Sequence, residues 1–311
     1  MSKKNFFSSH LYNPLYFRYC FYFVFSLAVI LNSIIIHGGS NFYILYIFSV
    51  IFLGIGFYDK PLWFLILLTF IIVTCRFFLI TDSTSTFGVF LIHFLTYLII
   101  MLISTGLMKY VQKVEEDNLE LTIALANALD SRDHYTLHHS ENVAKYSVQI
   151  ARKLNLPNLS CEIIRKGALL HDIGKIGIPE NILTKQDKLT DEEYEIIKNH
   201  PILGHNMIKH IVNFHKNGVL DIVLYHHERY DGNGYPMGLK GKQIPLFARI
   251  VAIADSFDAM TTKRVYRDEL DLEYAINEIR KNKGKQFDPE LVEVFLSLFD
   301  QNNLNSNKEQ T

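Results

Sequence analysis

Seven side chains between residues 139 and 255 could hold metal ions: His139, His171, Asp172, His200, His226, His227 and Asp255. Imidazoles and carboxylates together suit Zn, Mn or Fe, and with no cysteine near these positions a soft thiolate site is excluded. His171-Asp172 directly follows an apolar run ending at Leu170, where a charged carboxylate without a partner would be costly to bury. Asp255 follows Ile250-Val-Ala-Ile-Ala254, which offers no polar partner in sequence. Metal binding is the simplest common explanation for buried Asp and His residues in one domain. The other clustered histidines, His134, His138, His205, His210 and His215, lack such surroundings and read as surface residues. The double histidine opens the run His226-His-Glu-Arg-Tyr-Asp-Gly-Asn-Gly-Tyr-Pro236. Gly and Asn tolerate positive φ, so Asp231–Gly234 reads as a tight turn that carries Tyr235 and Pro236 back toward the histidines.

Helices must position these groups. Val143, Tyr146, Ile150 and Leu154 have helical spacing, which Pro157 breaks. Ile163–Leu170, Asp191–Asn199, Val219–His227, Ala248–Met260, Ala275–Lys281 and Pro289–Phe299 read as further helices. Strand signals are weak, so the expected fold is all-α, followed by a polar, disordered tail at 301–311.

Across the whole chain, 311 residues carry a net charge of −1 and three cysteines, enough length for about two domains. The averages conceal an asymmetry. Residues 1–108 contain 26 of the 41 aromatic residues but only seven charged ones, with a net charge of +3. Ten of the thirteen histidines lie between His134 and His227. No overall basic excess points to DNA or RNA. Cys20, Cys75 and Cys161 are too scattered for a disulfide framework or a CxxC zinc site.

Four apolar stretches approach or meet the ~20 residues that a spanning helix needs: Tyr19–Ile36, Phe42–Tyr58, Pro61–Ile80 and Phe87–Met108. No small-residue cleavage signature follows the first, which argues against a signal peptide. Lys3, Lys4 and Arg18 precede the first stretch and Lys109 and Lys113 follow the fourth, so both ends are expected in the cytoplasm. Arg76 lies near the outer end of the third stretch, where it can snorkel, and His93 reads as a packed or hydrogen-bonded helix residue rather than a ligand.

Gly106–Asp130 contains no proline, so the fourth span is expected to continue as one helix into the cytoplasm. Along it Leu107, Val111, Val114, Asn118, Leu121, Leu125 and Ala128 trace an a/d seam, with Asn118 at an a position. A homodimer through this helix is the expectation. Leu119, Ile123 and Ala126 give it a second apolar face, which fits the first core helix of the next domain.

The histidine-rich half resembles the HD-GYP domain, the bacterial subgroup of HD-domain phosphohydrolases that degrade cyclic di-GMP. The resemblance runs from about Leu119 to Phe299. Six blocks in the family's order carry it: His139-Ser-Glu-Asn-Val, His171-Asp-Ile-Gly-Lys-Ile-Gly, His200-Pro-Ile-Leu-Gly, His226–Pro236, Arg249–Met260 and Gln286-Phe-Asp-Pro. It implies that His139, His171, Asp172 and Asp255 hold one metal. It likewise implies that Asp172, His200, His226 and His227 hold a second, with Asp172 bridging and Fe or Mn ahead of Zn. It further implies that Lys175 contacts the scissile phosphate, that Arg264 and Arg267 bind phosphate, and that Tyr235 lies near the substrate. Some members bind a third metal through a Glu four residues before the first His; Tyr135 stands there, which favours two ions. Val265 stands where the family usually has proline.

Two ions ~3.5–4 Å apart would hold a bridging water and lower its pKa. In-line attack on phosphorus would follow, with both ions and Lys175 neutralising charge. The expected activity is hydrolysis of cyclic di-GMP to pGpG, with GMP open as a further product. A catalytically silent receptor, or a hydrolase of another cyclic dinucleotide, remains as an alternative. The expected organisation is a four-span region at 1–108, a connector at 109–118 and a phosphodiesterase domain at 119–300. The lipid bilayer is a partner, and the location is the inner membrane with the catalytic domain cytoplasmic.

Overall fold

A computed structural model describes residues 13–34, 42–80, 86–132, 138–185, 187–211, 214, 217–262 and 271–306. The backbone divides into two compact units, Met1–Asn118 and Leu119–Thr311. Among the described residues all regular structure is helical, apart from one isolated bridge between Lys283 and Phe287.

The first unit contains α1 (Pro14–Ile34), α2 (Tyr43–Gly56), α3 (Leu62–Leu79) and the start of α4 (Phe87–Asp130). Three of these, α1, α3 and α4, are long and apolar enough to cross a membrane; α2 has 14 residues. Large apolar side chains cover their outer surfaces, with Phe23 68% and Trp63 66% exposed. Inside, Tyr46, Val50, Leu53, Ile72, Val73 and Met101 are buried together. Glycines let the backbones close: a Cβ on Gly54 would lie 2.7 Å from Ser104 Cβ, and one on Gly56 would lie 2.8 Å from Arg18 N. Arg18 Nε donates to Gly56 O at 2.7 Å, and its Nη2 meets Asp59 Oδ1 at 2.7 Å. The start of α1 and the end of α2 therefore lie side by side. Arg76 donates to His93 Nδ1 at 2.9 Å.

The second unit contains α5 (His139–Lys153), α6 (Asn158–Leu169), α7 (Glu180–Leu183), α8 (Asp191–Lys198), α9 (His200–Ile208), α10 (Val219–Tyr225), α11 (Leu246–Thr261), α12 (Leu272–Lys281) and α13 (Pro289–Ser306). Its core gathers Val143, Ile150, Ile164, Ile222, Ile250, Ile253, Phe257 and Phe295. The apolar face of α11 lies at its centre, which explains why Arg249–Met260 reads as nearly unbroken apolar sequence. Thr190 starts α8 with a capping box: its hydroxyl accepts from Glu193 N, and the Glu193 carboxylate accepts from Thr190 N. Helix α13 reaches Ser306, six residues into the stretch expected to be a disordered tail. No proline or glycine interrupts the sequence there.

Candidate metal centre

His139 opens α5, and His171-Asp172 follows α6 after its capping residue Leu170. His200 opens α9, His226-His227 follow α10, and Asp255 lies within α11. Two side-chain groups result, Asp172–His200–His226–His227 and His139–His171–Asp255, each offering ligand atoms within 4.8 Å of one another. Asp172 faces both: its Oδ2 lies 3.2 Å from His171 Nε2, and its Oδ1 lies 3.1 Å from His200 Nε2. Asp255 Oδ1 stands 3.3 Å from His139 Nε2 and 3.9 Å from His171 Nε2.

Two glycines in the sequence blocks make this approach possible. A Cβ on Gly174 would fall 1.9 Å from His200 O and 2.5 Å from Gly204 N. One on Gly204 would fall 3.0 Å from Gly174 N. The 3-10 turn Ile173–Gly177 and α9 therefore touch backbone to backbone, which brings Asp172 to His200.

The ring nitrogens are sorted by the backbone. His171 Nδ1 donates to Ala168 O at 2.7 Å, His200 Nδ1 to Ile197 O at 2.8 Å, and His226 Nδ1 to Val223 O at 3.0 Å. A carbonyl only accepts, so each Nδ1 carries the proton and each Nε2 lone pair turns inward. His200 Nε2 and His226 Nε2 then face each other at 3.4 Å with no proton between them in the neutral state. His171 Nε2 is buried without an assigned hydrogen bond, and Asp172 Oδ2 stands 3.2 Å from it. Convergent lone pairs beside two carboxylates fit a pair of divalent cations, as donor type and geometry both require.

Electrostatics divides the groups. Burial and the neighbouring imidazoles push His226 well below the usual histidine range, and burial lowers His227 to about 4. Both are therefore neutral, the form that ligates metal. Burial opposes charge on His139, but its bonds to Asp255 and Asp258 raise it to about 10. Burial also works against the Asp172 carboxylate, yet Lys175 and the protonated form of His171, which Asp172 and Asp255 raise against its own burial, hold it well below the usual range. Lys175 Nζ lies 2.7 Å from Asp172 Oδ2. Tyr235 packs on His227, ring centroids 4.8 Å apart. Arg264 and Arg267, with Tyr135 and Val265, lie outside the described residues.

Several supporting residues escaped the sequence reading. Asp258, one turn beyond Asp255 on α11 and 1% exposed, accepts from His139 Nδ1 at 2.7 Å and so aims the other nitrogen inward. A carboxylate three residues after Asp255 in an apolar helix was the available signal. Asp130 accepts from Ser140 N at 3.0 Å and Ser140 Oγ at 2.8 Å, fixing the start of α5. Glu228 accepts from Met237 N at 2.6 Å and Leu239 N at 2.9 Å, closing the loop that carries Tyr235. Gly234 has no room for a Cβ, which would lie 2.3 Å from Arg229 N. Gln286-Phe-Asp-Pro is an anchor for the same loop: Tyr230 N donates to Gln286 O and Asp231 N to Lys285 O, while buried Asp288 pairs with Arg249.

A family profile described as "HD domain" matches residues 123–291. A cyclic di-GMP phosphodiesterase from Thermotoga maritima is 44% identical over 184 residues, covering 59% of this chain and 50% of that protein. The cyclic di-GMP phosphodiesterase response regulator RpfG from Xanthomonas campestris is 40% identical over 191 residues, covering 61% and 50%. A 3'3'-cGAMP-specific phosphodiesterase 2 from Vibrio cholerae is 37% identical over 188 residues, covering 60% and 36%. The chain thus spans half the length, or less, of these relatives.

Proposed function

The chain belongs to the HD-domain family, and from that premise we propose that it is a membrane-bound, metal-dependent phosphodiesterase that hydrolyses cyclic di-GMP to pGpG. The observation that carries this reading is Asp172, whose two oxygens face His171 and His200 in separate His/Asp groups. We assign His139, His171, Asp172 and Asp255 to one ion, and Asp172, His200, His226 and His227 to the other. Donors limited to imidazole and carboxylate suit Fe or Mn. Such ions, when bound, acidify water and neutralise phosphate charge.

The protein's own part is positioning. Lys175 stands beside Asp172 to meet a non-bridging phosphate oxygen. Tyr235 packs on His227, and Arg264 and Arg267 bind phosphate. Burial shields the ligands from bulk solvent and holds them in place, since His139, His171, Asp172, His200 and His226 are all at most 5% exposed. The Vibrio relative's specificity for 3'3'-cGAMP keeps that nucleotide as a second substrate.

The membrane region has four crossings in this reading, with both ends cytoplasmic. The Arg18–Asp59 pair supports it, because α2 returns the chain to the end of α1 from which it set out. At 1.5 Å per residue α2 is only ~21 Å long, so the bilayer thins or the flanking Phe42 and Phe57 extend it. The seam residues Leu107, Val114, Leu121 and Leu125 are all exposed on the single chain, which supports a dimer through α4.

Purified full chain reloaded with Mn or Fe should convert cyclic di-GMP to pGpG, followed by chromatography, and should stop on chelation. Intact cyclic di-GMP with both ions present would overturn the proposal.

A further inference from the structure

Lys198 ends α8, two residues before His200. Its Nζ lies 5.6 Å from the ring centroid of Tyr194 and 5.6 Å from that of Tyr235. Tyr235 already packs on His227. One ammonium therefore serves two tyrosine rings at the rim of the candidate metal centre, and the hydrolysis described above uses neither Lys198 nor Tyr194. Tyr194 is 50% exposed, leaving ring surface uncovered. Glu195 meets Lys198 Nζ at 2.7 Å, but its side chain is 67% exposed, and a surface pair of this kind holds the ammonium only weakly.

An uncovered aromatic ring beside the candidate metal centre is a surface for base stacking. The adjacent ammonium offers three donors and no acceptor. Guanine presents two acceptors, O6 and N7, on one edge; adenine presents N7 beside an amino donor. An ammonium at that edge pairs with guanine and is opposed by the amino group of adenine. We propose that Tyr194 and Lys198 form a guanine-reading subsite, with the base stacked on Tyr194 and its O6/N7 edge accepting from Lys198. This rests on the cyclic dinucleotide reading above and adds which base the site selects.

The test compares cyclic di-GMP with cyclic di-AMP on the Mn-loaded full chain, by initial rates and by calorimetric Kd. The wild type should prefer the guanine nucleotide in both measurements. Lys198→Met should shrink that preference about tenfold, mainly through KM and Kd for cyclic di-GMP rather than kcat. Tyr194→Ser should weaken both nucleotides by roughly 5–10-fold, because stacking tolerates either base. Tyr194→Phe should restore wild-type values, since it keeps the ring. An unchanged preference in Lys198→Met, or Tyr194→Phe behaving like Tyr194→Ser, would overturn the subsite. Absent turnover by the wild type would instead strike the phosphodiesterase reading, and the two Kd values would still decide the subsite.

Discussion

In the first unit, five serine and threonine hydroxyls are satisfied within their own helix. Ser33, Ser49, Thr69, Thr74 and Thr96 each donate to the carbonyl four residues earlier, so few polar groups need a distant partner. In the second unit the buried polar groups reach across the fold: His139 to Asp258 over 119 residues, Ser140 to Asp130, and Asp172 to His200. The surfaces differ in the same sense, since Phe23 and Trp63 point outward in the first unit while Phe257 and Phe295 are enclosed in the second. One unit suits a solvent that offers no hydrogen bonds. The other spends its interior on a cluster of buried histidines and carboxylates held by long-range contacts.

Substitutions can break this contrast at either end. Asp172→Asn replaces one oxygen of the carboxylate that both metal groups share with an amide nitrogen that has no lone pair to offer a metal. Turnover of cyclic di-GMP should fall by more than the 10–100-fold typical of an outer-shell change, checked by steady-state rates. Leu67→Lys places an ammonium on the outward face of α3, where Leu67 is 49% exposed. Insertion should become less favourable by about 3–4 kcal/mol. Membrane flotation should show that loss, with metal content per folded chain unchanged.

Asp258→Asn sharpens the comparison, because it alters how a ligand is aimed without removing one. Metal affinity should drop roughly 10–100-fold in a chelator competition. The smallest effect is expected from Asn118→Ala on α4. Cysteine cross-linking along the seam should report a changed dimer register, and an unchanged pattern would remove Asn118 from that role.

How much of this could be read from sequence depended on whether the signal was local. The seven candidate ligands stood out because histidine and aspartate abut apolar runs, as at Leu170-His171-Asp172 and Ala254-Asp255. Helix α11 was legible for the same reason. Asp258 and Glu228 were not, since their partners are fixed only by tertiary packing: Asp258 meets a histidine 119 residues away, and Glu228 binds backbone in its own loop. The glycines at 174 and 204 give no hint in sequence that they face each other. In the first unit, four apolar stretches were visible, but the shortness of α2 was not, because composition does not mark where Tyr43–Gly56 starts and stops.

The central claim is that seven side chains hold two ions joined through Asp172. Metal analysis of the anaerobically purified full chain tests it most directly. The account predicts two ions of Fe or Mn per wild-type chain and fewer than one in Asp172→Ala. A metal-free wild-type protein, or full occupancy in Asp172→Ala, would contradict it.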